Sequence, residues 1–186
     1  MFKKKVGYIF LTVLTIVSLV ACGKSEEIPT IQKPEQELMF LLTYDNWSEE
    51  EIHSAILITT DGKQITVPDD ILDKDGDMSE NWAEQLIKLS GSGVSESKVP
   101  ENDLAVMYEF VNSVEIENVP VFKEYTETVY DAGFNTLYLL EHETDGSYTQ
   151  QKLCVSGQTN EYIDDDNIID FCNFMSDKNY YIMYYF

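Results

Sequence analysis

Residues 53–68 read "HSAILITTDGKQITVP". Two β-branched runs flank Asp61-Gly62. Asp-Gly suits a tight turn because it tolerates positive φ, so this stretch predicts a β-hairpin, with Pro68 closing the second strand. Residues 134–157, "FNTLYLLEHETDGSYTQQKLCVSG", predict a second hairpin that turns at Asp145-Gly146. Upstream, "ELMFLLTY" (residues 37–44) is a compact apolar run, short enough for a buried strand, although pattern alone also admits a helix. Residues 115–133 alternate only in places and carry Pro120, which predicts an edge strand or an irregular connection. The closing "NYYIMYYF" (residues 179–186) reads as an aromatic strand placed inside the sheet or covered, since a free apolar edge invites aggregation.

Three helices are expected among these strands. In "SENWAEQLIKLSGSG", Trp82, Leu86 and Leu89 recur at helical spacing. That helix is expected from about Met78, with Asp77 and Glu80 as a capping box and Gly91 and Gly93 as its stop. In "VPENDLAVMYEFVNSV", Pro100 stands near the start, and Leu104, Met107, Tyr108, Val111 and Val114 form one stripe. In "NIIDFCNFM", Ile168, Phe171, Cys172 and Met175 share a face, with Asp165 or Asp166 as the cap. Strand runs joined by short turns, with helices interspersed, predict one α+β domain over residues 37–186. Its sheet is expected to be largely antiparallel, built from two hairpins, with about three helices packed on one face. Thr60-Asp61-Gly62 matches Thr144-Asp145-Gly146 within a shared order of strand, turn, strand, acidic loop and helix. A diverged internal repeat and the same turn chemistry used twice both account for that likeness.

The N-terminus has a different character. Lys3, Lys4 and Lys5 precede an apolar run from Val6 to Val20. That run is shorter than the ~20 residues a spanning helix needs, and it ends on small residues, as a secretory signal peptide does. Leu19-Val20-Ala21-Cys22 resembles the bacterial lipobox, with leucine at −3, alanine at −1 and cysteine at +1. The resemblance implies a signal peptide over residues 1–21 and a diacylglycerol on the Cys22 thiol. The chain would then be cut before Cys22 and anchored at the outer face of the cell membrane. Each buried methylene contributes ~0.8 kcal/mol, so two or more acyl chains hold a domain at a bilayer for a long time. Residues 22–36, polar with two prolines, read as a tether. The lysine-rich, arginine-free chain is similar in build to small lipoproteins of low-GC Gram-positive bacteria.

Charge bounds the partners. Twelve lysines and no arginine face 34 acids, for a net charge of −22. Three of those lysines lie in the leader, so residues 22–186 are more acidic still. Such a chain lacks the basic patch that nucleic acid binding needs. Anionic headgroups repel it, which leaves the lipid as its hold on the membrane. Cations and basic proteins or peptides are the partners this field attracts.

Few residues carry candidate chemistry. Asp73 to Glu84, "DKDGDMSENWAE", resembles the EF-hand calcium loop. Asp73, Asp75 and Asp77 stand at positions one, three and five, Asn81 at nine and Glu84 at twelve, and that spacing wraps oxygens around a hard cation. Position six is Met78 instead of glycine and position eight is Glu80 instead of an apolar residue. The bland reading is an acidic turn before a helix. The acids at 164–166 read as helix-capping groups. Glu141-His142-Glu143 lacks the spaced ligands of a zinc site, and no H-E-x-x-H, C-x-x-C or G-x-S-x-G occurs. A Cys154–His142 nucleophile pair competes with a strand-end histidine. Tyr180, Tyr181, Tyr184, Tyr185 and Phe186 read as core packing or as a carbohydrate platform. Cys154 and Cys172 are either a disulfide between a strand and a docked helix or two separately buried thiols. With no catalytic set and no cofactor beyond the lipid, the expected function is a non-enzymatic, extracytoplasmic binding module with an acidic surface. A calcium-stabilised structural module and an envelope enzyme are the alternatives.

Overall fold

The computed structural model describes residues 31–46, 52–68, 70–71, 79–93, 97–114, 122–125, 133–157 and 160–180. Its strands are β1 (Leu38–Asn46), β2 (Ile52–Thr59), β3 (Lys63–Val67), β4 (Ser97–Lys98), β5 (Phe122–Tyr125), β6 (Phe134–His142), β7 (Tyr148–Gly157) and β8 (Asn160–Ile163). Its helices are α1 (Trp82–Gly91), α2 (Glu101–Ser113) and α3 (Asp166–Asp177). The strands form one sheet in the order β4-β3-β2-β1-β6-β7-β8-β5, and every neighbouring pair is antiparallel. The α+β class and both hairpins are as the sequence predicts. Gly62 and Gly146 take the positive φ that their turns require, at 79° and 88°.

The apolar run at residues 37–44 becomes β1, in the middle of the sheet. Leu38 through Leu42 are all buried, which an alternating strand would not allow. A strand apolar on both sides must be covered on both sides. Phe40 and Leu42 join Ile58, Leu137 and Leu139 in one cluster, with Met107 and Phe110 of α2 and Ile168, Phe171 and Met175 of α3. Leu41 joins Leu57, Ile65 and Leu140 in a second cluster, with Leu86 of α1 and, at its margin, Trp82 and Ile87. The expected shared helical face thus holds for α2 and α3, while α1 packs with the alternate set of strand side chains.

Within the first cluster the aromatic rings join the layers. Phe171 stacks on Phe110 with centroids 3.8 Å apart and on Phe40 at 5.0 Å. Phe110 fell outside the stripe read from the sequence, yet it is buried on α2. The expected cap of α3 is Asp165, whose carboxylate accepts from the N–H groups of Asn167 at 3.0 Å and Ile168 at 3.2 Å. At its other end Asn179 has φ 58°, and the Asn179 and Tyr180 N–H groups donate to Ser176 and Met175 carbonyls. That is a Schellman closure with asparagine in place of glycine. The capping box at Asp77 and Glu80 does not start α1, which begins at Trp82 after Asn81.

Both edges are short: β4 has two residues and β5 has four. Short edge strands offer little template for pairing with another chain. β5 is the edge strand expected from residues 115–133. The aromatic tail from Tyr181 onward lies outside the described residues.

The strand order is symmetric about the β1–β6 pair. Each centre strand leads outward through two more, β2 and β3 on one side and β7 and β8 on the other. A two-fold axis relating antiparallel β1 and β6 would stand perpendicular to the sheet and keep equivalent helices on one face. α1 and α3 follow equivalent strands but join different clusters. The likeness of the halves therefore ends at the strands.

The end of β7 also depends on glycine, through a close backbone approach. Gly157 has φ 142°, and a Cβ there would sit 1.9 Å from the Gly133 carbonyl oxygen, backbone against backbone. Gly157→Ala is expected to cost about 1–3 kcal/mol or more, read as a lowered urea midpoint. Gly91→Ala, at the end of α1 with nothing within 4 Å of a new Cβ, is expected to hold or raise stability by up to about 1 kcal/mol. Equal effects from the two substitutions would contradict this packing.

Candidate functional site

The described residues form an open cavity of about 320 Å³, lined by charged groups, between the entering chain, the first hairpin turn and the end of α1. Its lining includes Lys33, Glu35, Glu37, Asp61, Lys63 and Ser90. Residues 31–36, expected as the end of a tether, are part of the compact unit that runs from Ile31 to Phe186. Gln36 explains why. Its side-chain amide donates to the carbonyls of Leu38 at 2.6 Å and Leu140 at 2.7 Å, one on β1 and one on β6. Its own carbonyl accepts from the Thr60 hydroxyl. The Thr60 N–H donates to the Glu37 carbonyl at 2.9 Å. Further along, Asn112 of α2 donates to the Gln32 carbonyl at 2.6 Å.

The facing wall is the Thr59–Lys63 turn. Asp61 accepts from the Thr59 hydroxyl and faces the Lys63 ammonium at 3.1 Å. The same ammonium donates to the Ser90 carbonyl at 3.0 Å, which fastens the turn to α1. Tyr108 of α2 donates its phenol proton to the Thr60 carbonyl at 2.5 Å. Burial alone would raise the Asp61 pKa; the Thr59 and Lys63 hydrogen bonds and the Lys63 charge outweigh it and hold the carboxyl below its ordinary value. Burial, with the Asp61 charge added, pushes the Tyr108 phenol up. Asp61 is thus ionised and engaged, which suits positioning and not proton transfer. The cavity presents ammonium and carboxylate groups together. It lies at the low end of the ~300–1,000 Å³ typical of ligand pockets, with room for one compact polar group.

The residues singled out from the sequence do not gather here. Cys22 lies outside the described residues, as do Asp73, Asp75 and Asp77. Glu84 stands exposed in the first turn of α1. Among the described residues no three His, Cys, Asp or Glu side chains are grouped to hold a metal ion. His142 is exposed at the end of β6, with its ring 5.0 Å from that of Tyr148. Burial and the neighbouring Glu143 raise the Glu141 pKa. Cys154 lies opposite Leu137 on β6 while His142 lies opposite Tyr148, so the Cys154–His142 pair does not form. Cys154 instead shares a buried cluster with Cys172, and both are free thiols. The cavity's own residues were missed because Thr-Asp-Gly signals only a turn, and nothing local reveals that Gln36 and Ser90 come to meet it.

No protein-family model, curated protein or solved structure matches the chain.

The Asp61–Lys63 pair gives a pH test. The folded-state pKa of Asp61 is below its ordinary 3.8, so its contribution is present above that value and lost as pH falls through the lower folded one. The carboxylate side chain is 50% exposed, so the effect is small and screened by salt. Urea midpoints are expected to show wild type above Asp61→Asn at neutral pH and low salt, with the gap closing below pH 3.8. A gap that persists in acid would show that the pair is not its source.

Proposed function

We propose that this protein is a lipid-anchored binding module at the outer face of the cell membrane, non-enzymatic, which captures a basic protein or peptide by its acidic surface. The observation that carries the reading is the charge: if every lysine were paired with a carboxylate, 22 acids would remain uncompensated. Both ion pairs resolved among the described residues, Lys63–Asp61 and Lys178–Asp103, spend a lysine on holding the fold together. A field of that sign steers cationic partners to their encounter and repels nucleic acid and anionic headgroups. The lipobox-like Leu19-Val20-Ala21-Cys22 supports the anchor, with diacylglycerol on Cys22. No helix among the described residues is long and apolar enough to cross a membrane. The polar cavity beside Asp61 suits a compact charged group, such as one side chain of the partner.

Membranes from cells carrying the wild type or Cys22→Ser test both halves of this reading. The wild type is expected to stay in the membrane fraction through a high-salt wash and to carry covalent lipid by mass spectrometry, and Cys22→Ser to carry none. Affinity capture of the wild type from envelope extract is expected to retain a dominant basic partner at low salt and to release it at high salt. Salt-independent retention of neutral or acidic proteins, or no partner at low salt, would overturn the acidic-capture reading. A wild type without covalent lipid, or Cys22→Ser that still carries it, would overturn the lipid anchor.

A further inference from the structure

Cys154 is on β7 and Cys172 on α3, and the two belong to one apolar cluster with Leu137 and Leu153. Their exposures are 1% and 3%. A buried cysteine alone is a small apolar side chain. Two in one buried cluster, from elements that pack on each other, are also placed for covalent closure, which demands close and correctly aimed Cβ atoms. The packing of α3 on β7 brings both thiols into one buried cluster, which answers the first of those demands. We propose that Cys154 and Cys172 are a cross-linking site, at which a disulfide fastens α3 to β7 as the chain folds.

The oxidant is the disulfide of a thiol–disulfide oxidoreductase or of a small-molecule disulfide. The thiolate of one cysteine attacks it, forming a mixed disulfide and expelling the oxidant's second sulfur as a thiolate. The other cysteine, as thiolate, then attacks the first cysteine's sulfur. The Cys154–Cys172 bond forms and the oxidant departs as a dithiol, or as two thiols. Two protein thiols lose two electrons and two protons, and one external disulfide gains them. Folding sets the timing. In the folded chain the Cys172 thiol is pushed well up by its hydrogen bond to Cys154 and by burial, and neither sulfur is reachable. Low thiolate content at Cys172 and no access to either sulfur make the native pair slow to oxidise and, once joined, slow to reduce. The closed loop carries β8 and the Asp165 cap, so the bond restricts the unfolded chain over that whole segment.

Inside cells the cross-link rests on the extracytoplasmic reading above, because cytosolic thiols are kept reduced. In the test tube it does not. Full-length Cys22→Ser, whose only cysteines are Cys154 and Cys172, is unfolded, reduced and refolded in detergent with oxidised glutathione or with reductant alone. The glutathione arm is expected to lose both free thiols and to yield a Cys154–Cys172 linked peptide by mass spectrometry. Its melting temperature is expected to exceed the reduced form's by about 6–12 °C. The same oxidant added to folded, reduced protein is expected to act roughly tenfold more slowly or worse. Single glutathione adducts, intermolecular dimers or two persistent free thiols in the refolding arm would overturn the site. Cys172→Ser in the same background should keep the fold by circular dichroism and form no link; a rise in melting temperature there on oxidation would also overturn it. Thiol trapping in intact cells separates the two readings. A chain that links in the tube yet is reduced in cells supports the site and counts against the extracytoplasmic location.

Discussion

The antiparallel seam between β1 and β6 is the contact on which the rest of the domain depends. It runs from Phe40↔Leu139 to Asp45↔Phe134 and joins two outward-running strand sets that are otherwise separate in sequence. Its register places Phe40, Leu42, Leu137 and Leu139 on one face and Leu41, Tyr138 and Leu140 on the other. Both layers of helix are seated on that double row. A slip of one residue would exchange the two faces and remove the partners of Phe171 and Leu86 together. Gln36 secures the end of the seam by donating to the Leu38 and Leu140 carbonyls at once. The cavity, which Gln36 lines, therefore stands at the end of the seam.

The second constraint is electrostatic. A chain of net charge −22 repels itself, and two of its twelve lysines, Lys63 and Lys178, are placed where segments distant in sequence meet. Lys63 ties the first hairpin turn to α1 through Asp61 and the Ser90 carbonyl. Lys178, just past α3, reaches Asp103 in the first turn of α2 at 2.9 Å. The Tyr180 phenol donates to the same carboxylate at 3.1 Å. Burial, that hydrogen bond and the Asp103 charge push the Tyr180 phenol up to about 12. Asp103 is buried, and ammonium and phenol together satisfy it. The junction of α2 and α3 is thus polar at its end and aromatic at its centre, where Phe110 and Phe171 stack.

The local chemistry of the chain made much of this legible. Asp-Gly with positive φ at the glycine set both hairpins, helical spacing found the three helices of the described residues, and Asp165 was readable as a cap because its side chain serves its own backbone neighbours. What escaped were facts decided by distant partners. The continuous apolar run at β1 implies two covered faces, but only the fold says that α1 takes one and α2 with α3 the other. Gln36 looks like tether until its amide meets two carbonyls, one of them more than a hundred residues away. Asn179 closing α3 in place of glycine depends on the turn that Tyr180 completes toward Asp103. Cys154 and Cys172 were readable as a candidate pair, and only the docking of α3 on β7 puts them in one cluster.

Native-state hydrogen exchange with rising urea tests the central place of the β1–β6 seam most directly. The seam predicts that amides of β1 and β6 exchange slowest, and only through global unfolding. It also predicts that protection in β2–β3 and in β7–β8 merges with theirs at one common opening as urea rises. If the seam opened first, leaving the β2–β3 and β7–β8 hairpins separately protected with different free energies, the domain would be two units side by side and this account would be wrong.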